Sequence, residues 1–383
     1  MQNKFIWLIV FLLCVLPSEA RKRRSINISS DYESVTVNED STVSFCFCGT
    51  AKRVSVQTDM LFSGEDSTHY NDLRTRKFKM RKLSDGCFHV TTKPVQPETY
   101  TYCFRINGKR KPDPNNNDTA WQMMHKWNIV SVSGTQQADL YLPPKLQGQL
   151  IQTRWFDREE QLYRRVNIYL PAGYNEVVND TCPNGKYPVL YLLHGINGYE
   201  GSWSERGRAI QIIENLIASD SIAPMIVIMP DCNTGKHTDR PSHHTLWNNV
   251  VHYPRLCRDH SLELALEDLM QYIDTTYHVS DQRYIAGFSS GARIAANIVN
   301  RYPDKFQAVG LFSPVVYKEQ MPSSNTEMLI AVYMGKNDMF IDNGRRFHKR
   351  LTKKGVPHIY IETIGGHTWR NWRFYLTDFL ERL

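Results

Sequence analysis

The sequence predicts a protein of two parts, an all-β sandwich followed by an α/β part built on parallel strands. Short β-rich runs separated by turn residues fill the first part, residues 21–130. Continuous apolar runs alternate with amphipathic runs over residues 149–383, which is the pattern of buried parallel strands and crossover helices. Residues 131–148 lie between the two patterns and are predicted to be a linker.

The first part has short runs with high β-propensity, separated by turn-forming pieces such as Asn107-Gly108 and residues 112–117. The clearest strand predictions are residues 42–48, 53–57, 87–91 and 99–106. Several short strands in a segment of this length predict an immunoglobulin-like sandwich.

In the second part, the strands are continuous apolar runs and the helices show apolar residues at helical spacing. The predicted strands, in chain order, are residues 187–195, 225–230, 283–286, 329–335 and 358–364. The predicted helices are residues 209–217, 292–299 and 343–354. Strands and helices that alternate in this way predict an open α/β sheet.

One turn carries the strongest chemical signal. Gly287-Phe288-Ser289-Ser290-Gly291 joins a predicted strand to a predicted helix. A turn this sharp needs glycine at its flanking positions and exposes the serine above the sheet. Strand, G-x-S-x-G, helix is the nucleophile elbow of an α/β-hydrolase, so Ser289 is the predicted nucleophile.

A serine nucleophile needs a base, and the base needs an acid that orients it. In α/β-hydrolases the order along the chain is Ser, acid, His. Asp338 and His367 each follow the end of a predicted strand, downstream of Ser289. We therefore predict a triad of Ser289, Asp338 and His367. Asp342 competes for the acid role, but it fits better as the N-cap of the helix that follows.

The negatively charged oxygen of the transition state needs N–H donors. We expect one from Ser290, the residue after the nucleophile, and one from the loop after the 187–195 strand. In that loop Ile196 is the predicted donor, with Asn197 as the alternative. His194 is predicted to pack locally. The predicted substrate contacts, with buried packing as the alternative for the tryptophans, are Trp203, Asp231 and Trp369.

Five pieces of the second part, in this order, resemble one esterase family. They are Leu192-Leu193-His194-Gly195, Asn215-Leu216-Ile217-Ala218, residues 224–230, the elbow, and Gly366-His367-Thr368-Trp369-Arg370-Asn371-Trp372-Arg373. The family holds bacterial feruloyl esterases, acetyl xylan esterases, enterochelin esterases and esterase D, and the H-x-W-x-x-W-R ending is its most specific piece. The resemblance covers roughly residues 148–383. Ser290 and Ala292 stand where many members have Met and Gly.

The first part carries a resemblance of its own. Residues 97–115 resemble the early-set immunoglobulin-like domains that often precede this type of esterase. The resemblance implies either a domain that binds glycan through exposed aromatic residues or a structural spacer.

Residues 231–261 are predicted to form an enlarged loop over the site. Its histidines match no zinc spacing, and a serine triad needs no metal, so we predict no metal and no cofactor. Cys232 and Cys257 are candidates to close this loop by a disulfide. Any bridges in the first part are expected to be internal to it, among Cys46, Cys48, Cys87 and Cys103.

The start of the chain reads as a secretory signal peptide, residues 1–20. Lys4 is followed by an apolar stretch, residues 5–16, and Ser18-Glu19-Ala20 fits a cleavage site. The stretch is too short to span a bilayer. The net charge is +7, and residues 21–24 supply four of these charges. The remaining excess is small, so nucleic-acid binding is not predicted.

The sequence therefore predicts an exported serine carboxylic-ester hydrolase, located in the periplasm or the medium, that forms an acyl-enzyme on Ser289. From the resemblance, its partner is expected to be a plant cell-wall polysaccharide or oligosaccharide that carries feruloyl or acetyl esters. An esterase for siderophore lactones and an acyltransferase are the enzymatic alternatives. An inactive glycan-binding relative is the alternative of another class, and the filled triad positions argue against it.

Overall fold

The computed structural model describes residues 32–122, 125–144, 148–174, 185–196, 198–233, 261–316 and 327–383. The predicted signal peptide lies outside these residues, as do Asn197, Cys257 and most of the predicted 231–261 loop. Among the described residues, no helix has both the length and the apolar character that a membrane span requires.

Two antiparallel sheets form the first part. The smaller sheet has four strands, in the order β1 (Val35–Val37), β2 (Val43–Phe47), β6 (Phe88–Thr91) and β5 (Arg81–Lys82). The larger sheet has the order β4 (Arg76–Lys79), β3 (Val54–Thr58), β7 (Glu98–Ile106), β10 (His125–Val132) and β9 (Thr119–Gln122), and β8 (Lys109–Lys111) pairs with β7. The predicted all-β character is confirmed, while the immunoglobulin-like assignment stays a prediction.

The two sheets share one apolar core, which explains why these strands form. Alternate residues of β2 point inward, and their rings meet rings of β7: Phe45 lies 4.9 Å from Tyr102 and Phe47 lies 5.4 Å from Phe104, between ring centroids. A disulfide between Cys48 and Cys87 joins the end of β2 to the start of β6. The bridge is internal to the first part, as predicted.

An eight-stranded sheet forms the second part. Its strands are β11 (Gln149–Asp157), β12 (Leu162–Leu170), β13 (Tyr187–Leu193), β14 (Ile226–Pro230), β15 (Val279–Phe288), β16 (Ala308–Phe312), β17 (Leu329–Gly335) and β18 (Ile359–Thr363). The order across the sheet is β11-β12-β14-β13-β15-β16-β17-β18. The pairs from β14 to β18 are parallel, while β11 and β12 run antiparallel to their neighbours.

Helices cover both faces of this sheet because its central strands are apolar on both sides. The helices are α1 (Gln136–Asp139), α2 (Ala209–Ala218), α3 (Ser261–Thr276), α4 (Ser290–Arg301), α5 (Ile341–Lys353) and α6 (Trp369–Leu380). Helices α3, α4 and α5 pack on one face, and α2 and α6 pack on the other. The predicted α/β architecture is confirmed.

The connections of β13 and β15 create a crevice. These strands are neighbours, but α2 leads from β13 to β14 on one side and α4 leads from β15 to β16 on the other. The two helices also lie on opposite faces of the sheet. Ligands of open α/β sheets bind where the strand order reverses in this way, at the carboxyl ends of the strands.

Candidate active site

Ser289 stands at the carboxyl end of β15, directly before α4. Its backbone is in a sparsely populated region, at φ 56° and ψ −118°. Its N–H donates to the carbonyl of Phe312 at 2.9 Å, which ties the turn to the neighbouring strand β16. A non-glycine residue in this conformation is strained, and such strain is found where it serves a site.

The two glycines of the turn are required by close backbone approaches. A Cβ on Gly287 would lie 2.7 Å from the carbonyl carbon of Gly291. A Cβ on Gly291 would lie 2.5 Å from the carbonyl oxygen of His194 and 2.6 Å from that of Leu193. The G-x-S-x-G pattern therefore packs the elbow directly against the end of β13, as expected for a nucleophile elbow.

Asp338 and His367 come together although they follow different strands. His367 Nδ1 lies 2.9 Å from Asp338 Oδ2, and the Asp338 side chain is fully buried. The other carboxylate oxygen of Asp338 accepts from the N–H of Phe340 at 2.8 Å. Because a carboxylate accepts, Nδ1 carries the proton, and Nε2 is left as the basic nitrogen.

Asp342 has a different position from the one predicted. Helix α5 begins at Ile341, after Phe340 at the N-cap position, so Asp342 lies in the first turn and is not the N-cap. That part of the prediction is wrong, because the helix starts two residues earlier than its apolar pattern indicates. The acidic partner of His367 is Asp338.

Aromatic rings connect the histidine to the elbow. Trp372 of α6 stacks on Phe288 with 4.0 Å between ring centroids. It also meets the His367 ring edge-on, with 5.0 Å between ring centroids. The Trp372 indole N–H donates to Ser313 Oγ at 3.2 Å, which fixes the ring. Phe288 immediately precedes Ser289, so this stack sets the spacing between the elbow and the histidine loop.

Trp203 lies beneath the elbow. It is 1 % exposed, its indole N–H donates to the Leu193 carbonyl at 3.0 Å, and its ring meets Phe288 edge-on at 5.4 Å. A side chain so enclosed has almost no surface for a substrate, which corrects the predicted contact in favour of the packing alternative. Trp369, also against Phe288, keeps 8 % exposure, and its substrate contact stays a prediction.

The loop after β13 is held by His194. The buried imidazole donates from Nδ1 to the Gly195 carbonyl at 2.8 Å, and Nε2 accepts from the N–H of Cys232 at 2.9 Å. His194 therefore joins this loop to the loop after β14. These local contacts agree with its predicted packing role. Ile196 follows Gly195 in the same loop, and its oxyanion role stays a prediction, as does that of Ser290 at the start of α4.

Asp231, the third predicted substrate contact, is engaged inside the protein. It is 5 % exposed, and its Oδ1 accepts from the backbone N–H of Asn233 at 3.0 Å and from Asn233 Nδ2 at 2.7 Å. The same oxygen lies 3.5 Å from His194 Nε2. These contacts indicate that Asp231 shapes the loop, and a direct contact with substrate has no support here.

Comparison with known proteins identifies the family. A model of the Esterase family matches residues 161–383, more than half of the chain. The chain belongs to this esterase family. The match includes the elbow, Asp338 and His367, and it begins one residue before β12, so the β-rich first part lies outside it.

Two relatives match parts of the chain. This esterase is similar to an endo-1,4-beta-xylanase/feruloyl esterase of Xylanibacter ruminicola, with 27 % identity over 244 residues, 62 % of this chain and 32 % of that protein. It is also similar to endo-1,4-beta-xylanase Y of Acetivibrio thermocellus, with 30 % identity over 89 residues, 23 % of this chain and 8 % of that protein. The matched region is thus less than two thirds of either relative's length.

A solved structure resembles both parts of the esterase. The enterobactin esterase of Shigella flexneri superposes with a TM-score of 0.57 at 15 % identity, over 93 % of this chain and 95 % of that one. At this identity the likeness concerns the fold alone. Because it covers nearly the whole chain, the β-rich first part belongs to the shared fold.

The sequence reasoning missed several residues that surround the esterase's predicted triad. Asp72 of the first part accepts from the Trp369 N–H at 3.0 Å, and Thr68 O accepts from Asn337 Nδ2 at 2.8 Å. Arg206 lies 3.4 Å from Asp72. The partners Asp72 and Trp369 are 297 positions apart in the chain, and no local pattern marks such a pair.

Proposed function

We propose that this esterase hydrolyses carboxylic esters with Ser289 as nucleophile, His367 as general base and Asp338 as the orienting acid. The observation that carries the proposal is the strained Ser289 between two glycines that cannot hold a Cβ, in a turn linked through Phe288 and Trp372 to a histidine bonded to a buried carboxylate. Strain is tolerated at a nucleophile because it exposes the hydroxyl to both the base and the substrate.

In the first half of the proposed reaction, the Ser289 hydroxyl attacks the ester carbonyl carbon while His367 Nε2 takes its proton. Asp338 stabilises the resulting imidazolium through Nδ1. The negative oxygen of the tetrahedral intermediate is stabilised by the N–H groups of Ile196 and Ser290, and the latter stands at the positive end of α4. His367 then protonates the leaving alcohol, and an acyl group remains on Ser289.

In the second half, water attacks the acyl-enzyme. His367 Nε2 removes a proton from the water, the same two N–H groups hold the oxyanion, and the carboxylic acid leaves as Ser289 recovers its proton. Acyl transfer would differ only in the nucleophile of this step, an acceptor alcohol in place of water.

The preferred substrate class is feruloyl or acetyl esters on plant cell-wall polysaccharides or oligosaccharides. Two observations support it: the H-x-W-x-x-W-R sequence at His367–Arg373, and the similarity to a protein named as a xylanase/feruloyl esterase. Polysaccharides are too large to enter a cell, so this substrate also agrees with the proposed signal peptide at residues 1–20 and with export. Trp369 remains the candidate among the predicted substrate contacts.

A siderophore lactone of the enterobactin type is the second candidate substrate. The observation in its favour is the shared fold of both parts with an enterobactin esterase, which extends over 93 % of this chain. Such a lactone is also a carboxylic ester, and the same Ser289, His367 and Asp338 would open it. The candidates therefore differ in the pocket and share the reacting groups.

The test is hydrolysis of methyl ferulate, 4-nitrophenyl acetate and enterobactin, side by side, by the protein and its Ser289→Ala variant. Ferulate release that the variant loses supports the feruloyl esterase. Turnover of acetate alone indicates a small acyl pocket, and preferential turnover of enterobactin favours the lactone. Activity that persists in Ser289→Ala would refute the proposed nucleophile, and no turnover of any ester would favour the glycan-binding alternative.

A further inference from the structure

One segment of the β-rich first part contacts both loops that carry the proposed acid and base. We name residues 67–72, which lie between β3 and β4, the docking segment. Its Thr68 carbonyl accepts from Asn337 Nδ2 at 2.8 Å, directly before Asp338. Its Asp72 carboxylate accepts from the Trp369 N–H at 3.0 Å, two positions after His367.

Asp72 supplies the hydrogen-bond acceptor that the N-cap residue of α6 does not provide. Thr368 occupies the N-cap position, but its side chain makes no capping bond, and its hydroxyl donates to Asn371 Oδ1 at 3.0 Å instead. The buried Asp72 carboxylate takes the place of the cap acceptor for the first N–H of the helix. A carboxylate is favourable there because the N-terminal end of a helix carries partial positive charge.

The histidine loop depends on an anchor of this kind. Gly365 and Gly366 precede His367, and Gly365 adopts φ +97°. Two consecutive glycines give the backbone wide conformational freedom, so they restrain His367 poorly from the upstream side. Upstream, one backbone bond from the Asn337 N–H to the Gly365 carbonyl, 2.9 Å long, holds the loop, and further restraint comes from the Asp338 contact and from the downstream side, where α6 begins.

Asp72 is itself fixed from a third direction. The Arg206 guanidinium nitrogen Nη2 lies 3.4 Å from Asp72 Oδ2 and donates to the Asp72 carbonyl at 3.3 Å. The same nitrogen lies 3.5 Å from Asp59 Oδ2. Asp59 in turn accepts from the N–H of Thr101 at 2.7 Å. Arg206 follows Trp203, which supports the end of β13, so the docking segment contacts the loop after β13 as well as the loops that carry Asn337 and Trp369.

We propose that Asp72 is a positioning residue of the esterase, which holds the start of α6 and thereby the direction of His367. The β-rich first part then completes the catalytic site and is more than a spacer. The inference rests on the proposed function of Ser289, His367 and Asp338. A catalytic group misplaced by about 1 Å can cost a hundredfold in rate, so an anchor two residues away is able to control turnover.

The first test compares Asp72→Ala and Asp72→Asn in the full chain with 4-nitrophenyl acetate as substrate. Alanine removes the acceptor, and we expect kcat to fall roughly tenfold to a hundredfold with little change in KM, because alignment in the transition state is lost. Asparagine keeps an acceptor oxygen, and we expect it to restore most of kcat. Wild-type kcat in Asp72→Ala, or no rescue by asparagine, would overturn the positioning role.

The matched control is Asp66→Ala. Asp66 is exposed, precedes the docking segment and bonds to Thr68, and no described contact joins it to the second part. This control variant distinguishes the effect of a general loss of order around the docking segment from the effect of losing the contact between Asp72 and α6. We expect near wild-type kcat in this control. A fall as deep as that of Asp72→Ala would refute a specific role for Asp72.

A second readout does not depend on activity or on the choice of ester. Hydrogen exchange of the peptide that spans residues 365–372 should be faster in Asp72→Ala than in wild type and Asp66→Ala; equal exchange rates would overturn the inference. If Asp72→Ala fails to fold, Asn337→Ala is the second variant. It removes the bond between Asn337 and the Thr68 carbonyl, and Asn337 is exposed. We expect a several-fold lower kcat at unchanged KM.

The two proposals fail in distinguishable ways. If wild type hydrolyses the ester and Ser289→Ala does so equally well, the nucleophile is wrong, while the exchange rates still decide the role of Asp72. If Ser289→Ala is inactive and Asp72→Ala matches wild type in kcat and exchange, only the positioning role is wrong.

Discussion

At the scale of single residues, two backbone carbonyls explain why the elbow has glycine at position 291. The carbonyl oxygens of Leu193 and His194 lie so close to Gly291 that a methyl group there would displace the end of β13. These are backbone atoms of a central strand, which cannot move aside as a flexible side chain could.

We expect Gly291→Ala to lower the free energy of unfolding by about 3 kcal/mol and to abolish most esterase activity, because overpacking here shifts both the elbow and the loop after β13. Gly64→Ala is the control. Unlike Gly291, Gly64 has positive φ, and a Cβ there would have nothing within 4 Å, so only the backbone cost of about 1 kcal/mol is expected. Denaturant unfolding of both variants measures this, and equal losses would contradict it.

The proposed acid of the triad gives a second prediction. Asp338→Asn should lower kcat by about 10⁴-fold, because an amide no longer fixes the Nδ1–H tautomer of His367 or stabilises its charge. Asp342→Asn should stay near wild type, since Asp342 lies in the first turn of α5 and His367 pairs with Asp338. Steady-state kinetics with 4-nitrophenyl acetate would show the reverse order if Asp342 were the acid.

Residue identities could be predicted where chemistry restricts them to few positions. Ser289, Asp338 and His367 could be proposed as a triad because the elbow needs its glycines and because acid and base follow strand ends in a fixed order. Trp203 and Asp231 could not be judged in this way. Their burial depends on Phe288 and Asn233, which the sequence does not mark as neighbours.

At the scale of elements, most parallel strands were predicted, including β18 at one edge, whereas the interior strands β12 and β16 and the edge strand β11 were not. Strand β13 is apolar toward both faces, and its prediction has the correct start but extends two residues too far, through His194 and Gly195. Strand β11 lies at the edge of the sheet and exposes most of its side chains, so its residues form no continuous apolar run. Apolar patterns identify strands that are covered on both faces, and polar edges escape them.

The disulfide of the first part is expected to stabilise the fold by cross-linking two strands of the smaller sheet. The Cys48–Cys87 bond closes a span of 39 residues, for which loop-closure entropy predicts about 4 kcal/mol of stabilisation. We expect the double variant Cys48→Ser and Cys87→Ser to lose up to that amount in denaturant unfolding. Cys46→Ser, which leaves the bond intact, is the control. No difference between the two would show that the sheets need no cross-link.

At the scale of the whole molecule, ion pairs join the two parts. Glu98 pairs with Arg373 at 3.0 Å and Asp118 pairs with Arg208 at 2.9 Å. The partners Glu98 and Arg373 are 275 positions apart, so a sequence pattern cannot reveal them. What could be predicted was the existence of two parts, whereas their mutual contacts emerge only from the fold.

Buried carboxyls at this junction make its stability depend on pH. Burial raises the pKa of Glu205 to about 7, and its carboxylate accepts from the Trp121 N–H at 3.1 Å. Burial likewise raises the pKa of Asp59 to about 6, against the opposing charge of Arg206. A raised pKa means that the folded protein favours the protonated form. The stabilisation is therefore complete below the unfolded pKa and is lost as pH rises through the folded pKa.

We expect Glu205→Gln to flatten the pH dependence of stability between pH 4.5 and about 7, because glutamine stays neutral and still accepts from Trp121. The wild type should lose up to about 3 kcal/mol relative to Glu205→Gln across this window. Glu381→Gln, at an exposed position near the chain end, is the matched control and should follow the wild type. Denaturant unfolding at several pH values measures the difference. Parallel curves for wild type and Glu205→Gln would mean that Glu205 ionises in the folded protein as it does in the unfolded chain.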